Sequence, residues 1–91
     1  FNDSNQVLIA QHGGISVVAS AMQQHPNYAP VQEEGCGALR NLAFNDANSV
    51  SIAASGGIQA VVAAMKTYPQ IAGVQEEGWT TVGDDDVRNR A

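Results

Sequence analysis

The sequence predicts an all-α fold built from about two three-helix repeats. The chain overlays itself at a shift of 43 positions, and glycine pairs and prolines divide both copies at matching points. Between these breaks, the apolar residues follow the period of a helix. Between positions 1–35 and 44–78, 20 of 35 residues are identical, which is far beyond chance. A tandem duplication of this length is typical of helical repeat arrays, in which each unit packs on its neighbour.

The segment 31–46 shows the helical period most clearly. Its predicted buried stripe consists of Val31, Gly35, Ala38, Leu39 and Leu42, which are spaced i, i+4, i+7, i+8 and i+11. The residues predicted to fall off that stripe are Gln32, Glu33, Arg40 and Asn41. We therefore expect a third helix that begins between Ala29 and Val31, with Pro30 in its first turn.

The first helix of each copy is short, and it is predicted at 4–11 and at 47–54. The candidate N-caps are Ser4 or Asn5 and Asn48 or Ser49, because a short side-chain oxygen can accept an unpaired first-turn N–H. Glycine pairs at 13–14 and 56–57 should end these helices, since glycine adopts the left-handed conformation without a Cβ clash.

The second helix of each copy is predicted at 15–24 and at 58–67. Its predicted apolar face is Ile15, Val18, Ala19 and Met22 in one copy, and Ile58, Val61, Val62 and Met65 in the other. Pro26 and Pro69 should stop these helices, because proline donates no N–H and disfavours helix in the residue before it.

The second copy departs from the pattern after residue 78. Trp79 stands where the first copy has Cys36, and Asp85 stands where it has Leu42. Because an unpaired buried carboxylate is costly, we expect the last helix to end near Val82 and Gly83. We expect two repeat units, 1–43 and 44–82, which together form a pair over 1–82, followed by an acidic, mobile tail at 83–91. Trp79 is interpreted as a residue that packs over an exposed end of the repeat pair.

Composition excludes several classes of function. The formal net charge is −5, which argues against binding of nucleic acid or of an anionic membrane and is compatible with a basic partner. The single cysteine, Cys36, permits no internal disulfide and is expected to be a buried thiol. The sequence contains neither a catalytic constellation nor a metal-ligand pattern, so we expect no enzyme activity, no cofactor and no metal. A cytoplasmic or nuclear location is the default expectation.

At this point the residues resemble a known family. A 43-residue period, the GGI turn at 13–15 and 56–58, and the segment ALRNLAFND at 38–46 resemble the armadillo repeat over residues 1–82. The resemblance implies a right-handed α-solenoid whose third helices line a concave, partner-binding groove. In peptide-binding members an asparagine of this segment hydrogen-bonds the ligand backbone, and that position matches Asn41. The position four residues earlier, often tryptophan in the family, is Gly37. With Glu33 two turns before Asn41 and Asn45 one turn after it, the implied groove residues are Glu33, Gly37, Asn41 and Asn45.

The function expected from these patterns is a non-catalytic scaffold for protein–protein interaction, which binds a partner protein or an extended peptide along the third-helix face. The alternative is a structural spacer or a self-association segment of a larger repeat protein. Two units are fewer than the three or so that an array needs, so we expect a fragment of a longer array or self-association through exposed ends. Ala29, Val31 and the stripe of Ile15 and Val18 are expected to lack neighbours at the open end.

Overall fold

The computed structural model of the chain describes residues 3–83, which form six α-helices and no β-strand. The helices are α1 (Asp3–Gln11), α2 (Gly14–Gln24), α3 (Ala29–Leu42), α4 (Asp46–Ala54), α5 (Gly57–Thr67) and α6 (Ala72–Gly83). The all-α fold class is therefore confirmed. Of the predicted mobile tail at 83–91, Gly83 is the last residue of α6, and residues 84–91, with the acidic positions Asp84, Asp85 and Asp86, lie outside the described residues.

The duplication in the sequence is repeated in the helices. The bounds of α4 and α5 lie 43 positions after those of α1 and α2, and α6 begins 43 positions after α3. Equivalent helices contact one another, since α1 packs on α4, α2 on α5 and α3 on α6. The two three-helix units therefore lie side by side, and one unit buries its apolar residues against the other.

The turns between the first and second helices of each unit confirm the glycine prediction. Gly13 and Gly56 have φ angles of 83° and 81°, and each immediately precedes the next helix. No other described residue has a positive φ. Because L-residues rarely adopt this conformation, these two positions require glycine to turn the chain within two residues.

The predicted N-caps of the first helices are wrong. α1 begins at Asp3, so Ser4 and Asn5 lie inside it, and the cap of α4 is Asn45, whose Oδ1 accepts from the N–H of Asn48 at 3.1 Å. Asn48 and Ser49 are buried instead. The Asn48 side chain donates to the main-chain carbonyl of Gln6 at 3.1 Å, and the Ser49 hydroxyl donates to that of Ala43 at 2.9 Å. Because these two side chains bond to main-chain carbonyls outside α4, the N-cap of α4 is Asn45, the residue before the helix.

The core lies where α2 and α3 meet α5 and α6. Its buried apolar side chains are Ile15, Ala19, Met22, Cys36, Leu39, Leu42, Ala43, Ile52, Ala60, Val61, Ala64 and Val74. The α2 prediction is confirmed for Ile15, Ala19 and Met22, whereas α5 buries Ala60 and Ala64 in addition to the predicted Val61. The expectation that Ile15 lacks neighbours is wrong, because Ile15 is buried; the large apolar residue that α2 exposes is Val17.

The segment VQEEG occurs in both units, at 31–35 and at 74–78, and one of its polar residues lies inside the core. Gln32 was predicted to fall off the buried stripe, yet it is buried, whereas Val31 and Ala38 of that stripe are only half-buried. Its Nε2 donates to the carbonyl oxygens of Met22 at 2.8 Å and of His25 at 2.9 Å. Gln75 makes the equivalent bonds to Met65 and Tyr68 at 2.9 and 3.0 Å. Each glutamine thereby pairs the carbonyl of Met22 or Met65, whose i+4 residue is a proline without an N–H. The carbonyls of His25 and Tyr68 also accept from backbone N–H groups, at 3.2 and 3.3 Å.

The glycine of the same motif allows the second and third helices to approach closely. A Cβ built on Gly35 would lie 2.5 Å from Met22 Cγ and 2.6 Å from Met22 Sδ. In the second unit a Cβ on Gly78 would meet Met65 Cγ and Sδ at 2.7 Å. Met22 is buried whereas Met65 is only half-buried, so Met65 has more freedom to move aside.

We therefore expect Gly35→Ala to destabilise the protein more than Gly78→Ala. Overpacking at Gly35 should lower the free energy of unfolding by about 1–3 kcal/mol, while Gly78→Ala should cost roughly half as much because Met65 can yield. Urea denaturation of both variants measures the difference. Equal losses would show that the exposure of the facing methionine does not control the cost.

Within residues 3–83 no single helix is long and apolar enough to cross a membrane. Taken together, α4 and α5 meet that length and composition, with a bend of 73° between them.

Candidate functional site

An open groove of 510 Å³ runs along α3 and reaches α6. It is lined by Glu33, Glu34, Gly37, Ala38, Arg40, Asn41 and Glu77. The groove therefore brings together three of the four implied site residues, Glu33, Gly37 and Asn41. The fourth, Asn45, does not line it, because this residue caps α4 one turn further on.

Asn41 lies in the groove at the C-terminal half of α3. Its main-chain carbonyl accepts a hydrogen bond of 2.9 Å from Gln6 Nε2, and this bond does not use the side-chain amide. An amide side chain offers a donor and an acceptor together, which matches the N–H and C=O of an extended peptide.

Gly37 forms the floor of the groove beside Asn41. A Cβ placed on Gly37 would find Glu77 Oε2 as its nearest neighbour, at 3.5 Å, an ordinary contact distance. Packing therefore does not require glycine here. What the missing side chain provides is depth in the groove between α3 and α6.

An ion pair that joins the two units crosses one wall of the groove. Arg40 Nη1 lies 3.3 Å from Glu77 Oε1, and both side chains are partly exposed. The Arg40 guanidinium carbon also lies 5.9 Å from the centre of the Phe44 ring, a cation–π distance. Because the pair is partly exposed and screened, it contributes roughly 0–1 kcal/mol to stability. It therefore positions the groove wall more than it stabilises the fold.

The sequence did not single out Arg40 and Glu77 as neighbours. Arg40 was predicted only to fall off the buried stripe. The signal that could have found the pair is opposite charge on equivalent helices of adjacent repeats. Using that signal requires knowing that α3 and α6 lie side by side.

Glu33 lies against the start of the neighbouring helix. A Cβ on Gly73, in the first turn of α6, would meet the Glu33 carboxylate. A carboxylate near a helix N-terminus is stabilised by the unpaired N–H groups there. Together with Glu34 and Glu77, Glu33 gives the groove three carboxylates against one guanidinium, so its lining is net negative.

The thiol of Cys36 is buried beneath this groove, as expected for the sequence's single cysteine. Burial, assisted by the nearby negative charge of Glu77, raises its pKa from 9.0 to about 11. The reactive form of cysteine is the thiolate, so this environment disfavours a nucleophilic role.

The raised pKa predicts a pH dependence of stability. At pH values between 9.0 and about 11 the folded chain retains a thiol proton that the unfolded chain has lost. The stabilisation is therefore fully present below pH 9.0 and is lost as pH rises through about 11. We expect the free energy of unfolding to fall by about 2–3 kcal/mol across this window. Urea denaturation at several pH values, compared with Cys36→Ala, isolates the contribution; parallel curves would contradict it.

The two histidines, His12 and His25, are exposed and directly follow the ends of α1 and α2. Within residues 3–83, no group of three or more His, Cys, Asp or Glu side chains is arranged to hold a metal ion.

Comparison with known proteins adds one match. Over 40 residues the chain is 55% identical to Protein aardvark of Dictyostelium discoideum. The aligned stretch is 44% of this chain and 5% of that protein, so the chain corresponds to a small part of its relative. No family model matches the sequence, and no solved structure matches it. The similarity therefore concerns a short segment and does not by itself place the chain in a family.

Proposed function

We propose that the chain is a pair of armadillo-type repeats from a right-handed α-solenoid and that it acts as a non-catalytic protein-binding scaffold. Side-by-side packing of equivalent helices, with bounds 43 positions apart, supports the repeat architecture. The ALRNLAFND segment and the GGI turns support the choice of the armadillo family among helical repeats.

The observation that carries the binding proposal is the 510 Å³ groove along α3, with Asn41 among its lining residues. Asn41 would pair with the backbone of an extended segment of the partner, which makes recognition tolerant of sequence. Glu33 and Glu34 would receive lysine or arginine side chains at alternate positions of that segment, because successive side chains of an extended chain point to opposite sides.

A titration with synthetic extended peptides tests this function. The probes are peptides with lysine at alternate positions, and matched peptides with glutamate there serve as controls. Fluorescence anisotropy measures affinity, and amide chemical shifts locate the bound peptide. We expect the lysine peptides to bind at residues of the groove, and Asn41→Ala to weaken binding about fivefold to tenfold, the loss of one peptide hydrogen bond, without changing the melting temperature.

Asn27→Ala, in the exposed loop before α3, is the matched control. It removes the same amide outside the groove and should leave affinity unchanged. If the lysine peptides cause shifts elsewhere, or if Asn41→Ala binds them as tightly as the unmodified chain, the groove is not the binding site.

The alternative proposal is a structural spacer or self-association segment. The observation that favours it is an exposed apolar surface on the first unit, where Val17 is 67% exposed.

A further inference from the structure

One end of the first unit carries a set of apolar residues that face solvent, here called the entry face. Its members are Ile9, Val17, Val18, Ala21, Val31 and Ala38. They line two adjoining depressions of 300 and 250 Å³. Val17 is 67% and Ile9 48% exposed, and the two depressions share Val18 and Ala38, so these side chains belong to one apolar patch.

The same positions in the second unit are buried. The residues 43 positions later are Ile52, Ala60, Val61, Ala64, Val74 and Thr81, and each is at most 2% exposed. These residues of the second unit lie on α4, α5 and α6, which pack on α1, α2 and α3 of the first unit. The chain thus already contains one interface in which this set of positions is covered by a three-helix unit.

At the opposite end of the second unit, residues are exposed or half-buried whose counterparts in the first unit are buried. The first unit buries Ile15, Ala19, Met22, Cys36 and Leu39 in the interface and core. Their counterparts, here called the exit face, are Ile58, Val62, Met65, Trp79 and Val82. The four aliphatic members of the exit face are only half-buried, and Trp79 is 65% exposed.

We propose that the entry face binds the exit face of a second copy of this chain, head to tail, in the geometry of the interface between the two units. The proposal follows from continuity with that interface, because within residues 3–83 the entry face and the exit face are both at least partly exposed. It goes beyond groove binding and does not depend on it. A head-to-tail contact of this kind uses two different surfaces and can add further copies.

The interface between the two units also predicts the position of Trp79 in the contact between copies. Cys36 lies near enough to Glu77 for the carboxylate to help raise the pKa of the thiol. The residue 43 positions after Cys36 is Trp79, and the residue 43 positions before Glu77 is Glu34. Trp79 of one copy therefore falls beside Glu34 of the next, at the 300 Å³ depression that Val31, Glu34 and Ala38 line. A tryptophan there replaces a small thiol with a ring that buries about 150–250 Å².

The charges of the chain determine how association between copies should respond to salt. The Arg40–Glu77 ion pair has no counterpart between copies, because the position equivalent to Arg40 is Gly83. Contact between copies is then mainly apolar, and the copies repel each other through their net charge of −5. Association should strengthen as salt rises, since salt screens repulsion and leaves apolar burial intact.

Sedimentation velocity of the whole chain over about two decades of concentration tests the proposal. We expect the sedimentation coefficient to rise with concentration. Val17→Asp, on the entry face, and Trp79→Ala, on the exit face, should each weaken association about tenfold or more. Each variant retains one intact face, so an equimolar mixture of the two should form dimers that neither forms alone.

The matched control is Ser16→Asp, which adds the same charge on α2. Ser16 and its counterpart Gln59 are both exposed, so this position lies outside the interface, and the variant should associate like the parent. A chain that stays monomeric throughout would overturn the proposal. So would a mixture of Val17→Asp and Trp79→Ala that remains monomeric, or a Trp79→Ala variant that self-associates normally, which would indicate pairing of two entry faces.

Discussion

Leu39→Ala should cost more stability than any other single truncation of an aliphatic side chain proposed for this protein. Leu39 lies in α3 at the centre of the core and is 0% exposed. Its removal loses buried apolar area and leaves a cavity, which together cost about 3–5 kcal/mol. A domain of this size has a total stability of about 5–14 kcal/mol. Urea denaturation followed by circular dichroism should show a midpoint at much lower denaturant.

Leu8→Ala is the matched control for that prediction. It makes the same chemical change in α1, but Leu8 is 48% exposed, so it should cost less than half as much. Similar losses for Leu39→Ala and Leu8→Ala would show that α3 is not the centre of the core.

Gln32→Ala should lower the free energy of unfolding by about 1–3 kcal/mol, a large effect for the loss of a polar side chain. Gln32 Nε2 is bonded to two main-chain carbonyls at the end of α2, and the bond to Met22 is buried. The His25 carbonyl also accepts from the N–H of Tyr28 at 3.2 Å, so removing the amide leaves the buried Met22 carbonyl as the unsatisfied group. Hydrogen exchange should show faster opening at the end of α2, near His25.

Two further variants serve as comparisons for Gln32→Ala. Gln75→Ala removes the equivalent bonds in the second unit, where the side chain is only partly buried, so it should cost less. Gln59→Ala, at an exposed position of α5, should change stability by no more than about 0.5 kcal/mol. If Gln32→Ala behaved like Gln59→Ala, water would satisfy the carbonyls as well as the glutamine does.

The positions of the helices were predictable because the breaks are local. Gly13 and Gly56 turn the chain through a conformation that only glycine adopts readily, and Pro26 and Pro69 follow the ends of α2 and α5. The burial of individual residues was less predictable. Gln32 reads as a surface residue by polarity, yet it is buried because the carbonyls of a neighbouring helix provide acceptors.

The residues of the groove were likewise only partly predictable from the sequence. Repeat spacing and the asparagine segment led to Glu33, Gly37 and Asn41, and the three do line one groove. Asn45 was assigned to that groove by its place one turn further on, but α3 ends at Leu42 and Asn45 instead caps the next helix. Arg40 and Glu77, 37 positions apart, meet there only because α3 and α6 pack together.

The period of the chain, the points at which its helices break and the helical class of the fold follow from residues that are close in sequence. Which unit covers which face depends on the packing of the whole molecule, because burial depends on what packs against a side chain. Val18 and Val61 are the same residue at equivalent positions, yet the first is half-buried and the second fully buried. The first unit covers Val61, whereas the equivalent side of Val18 borders the open depressions of the entry face.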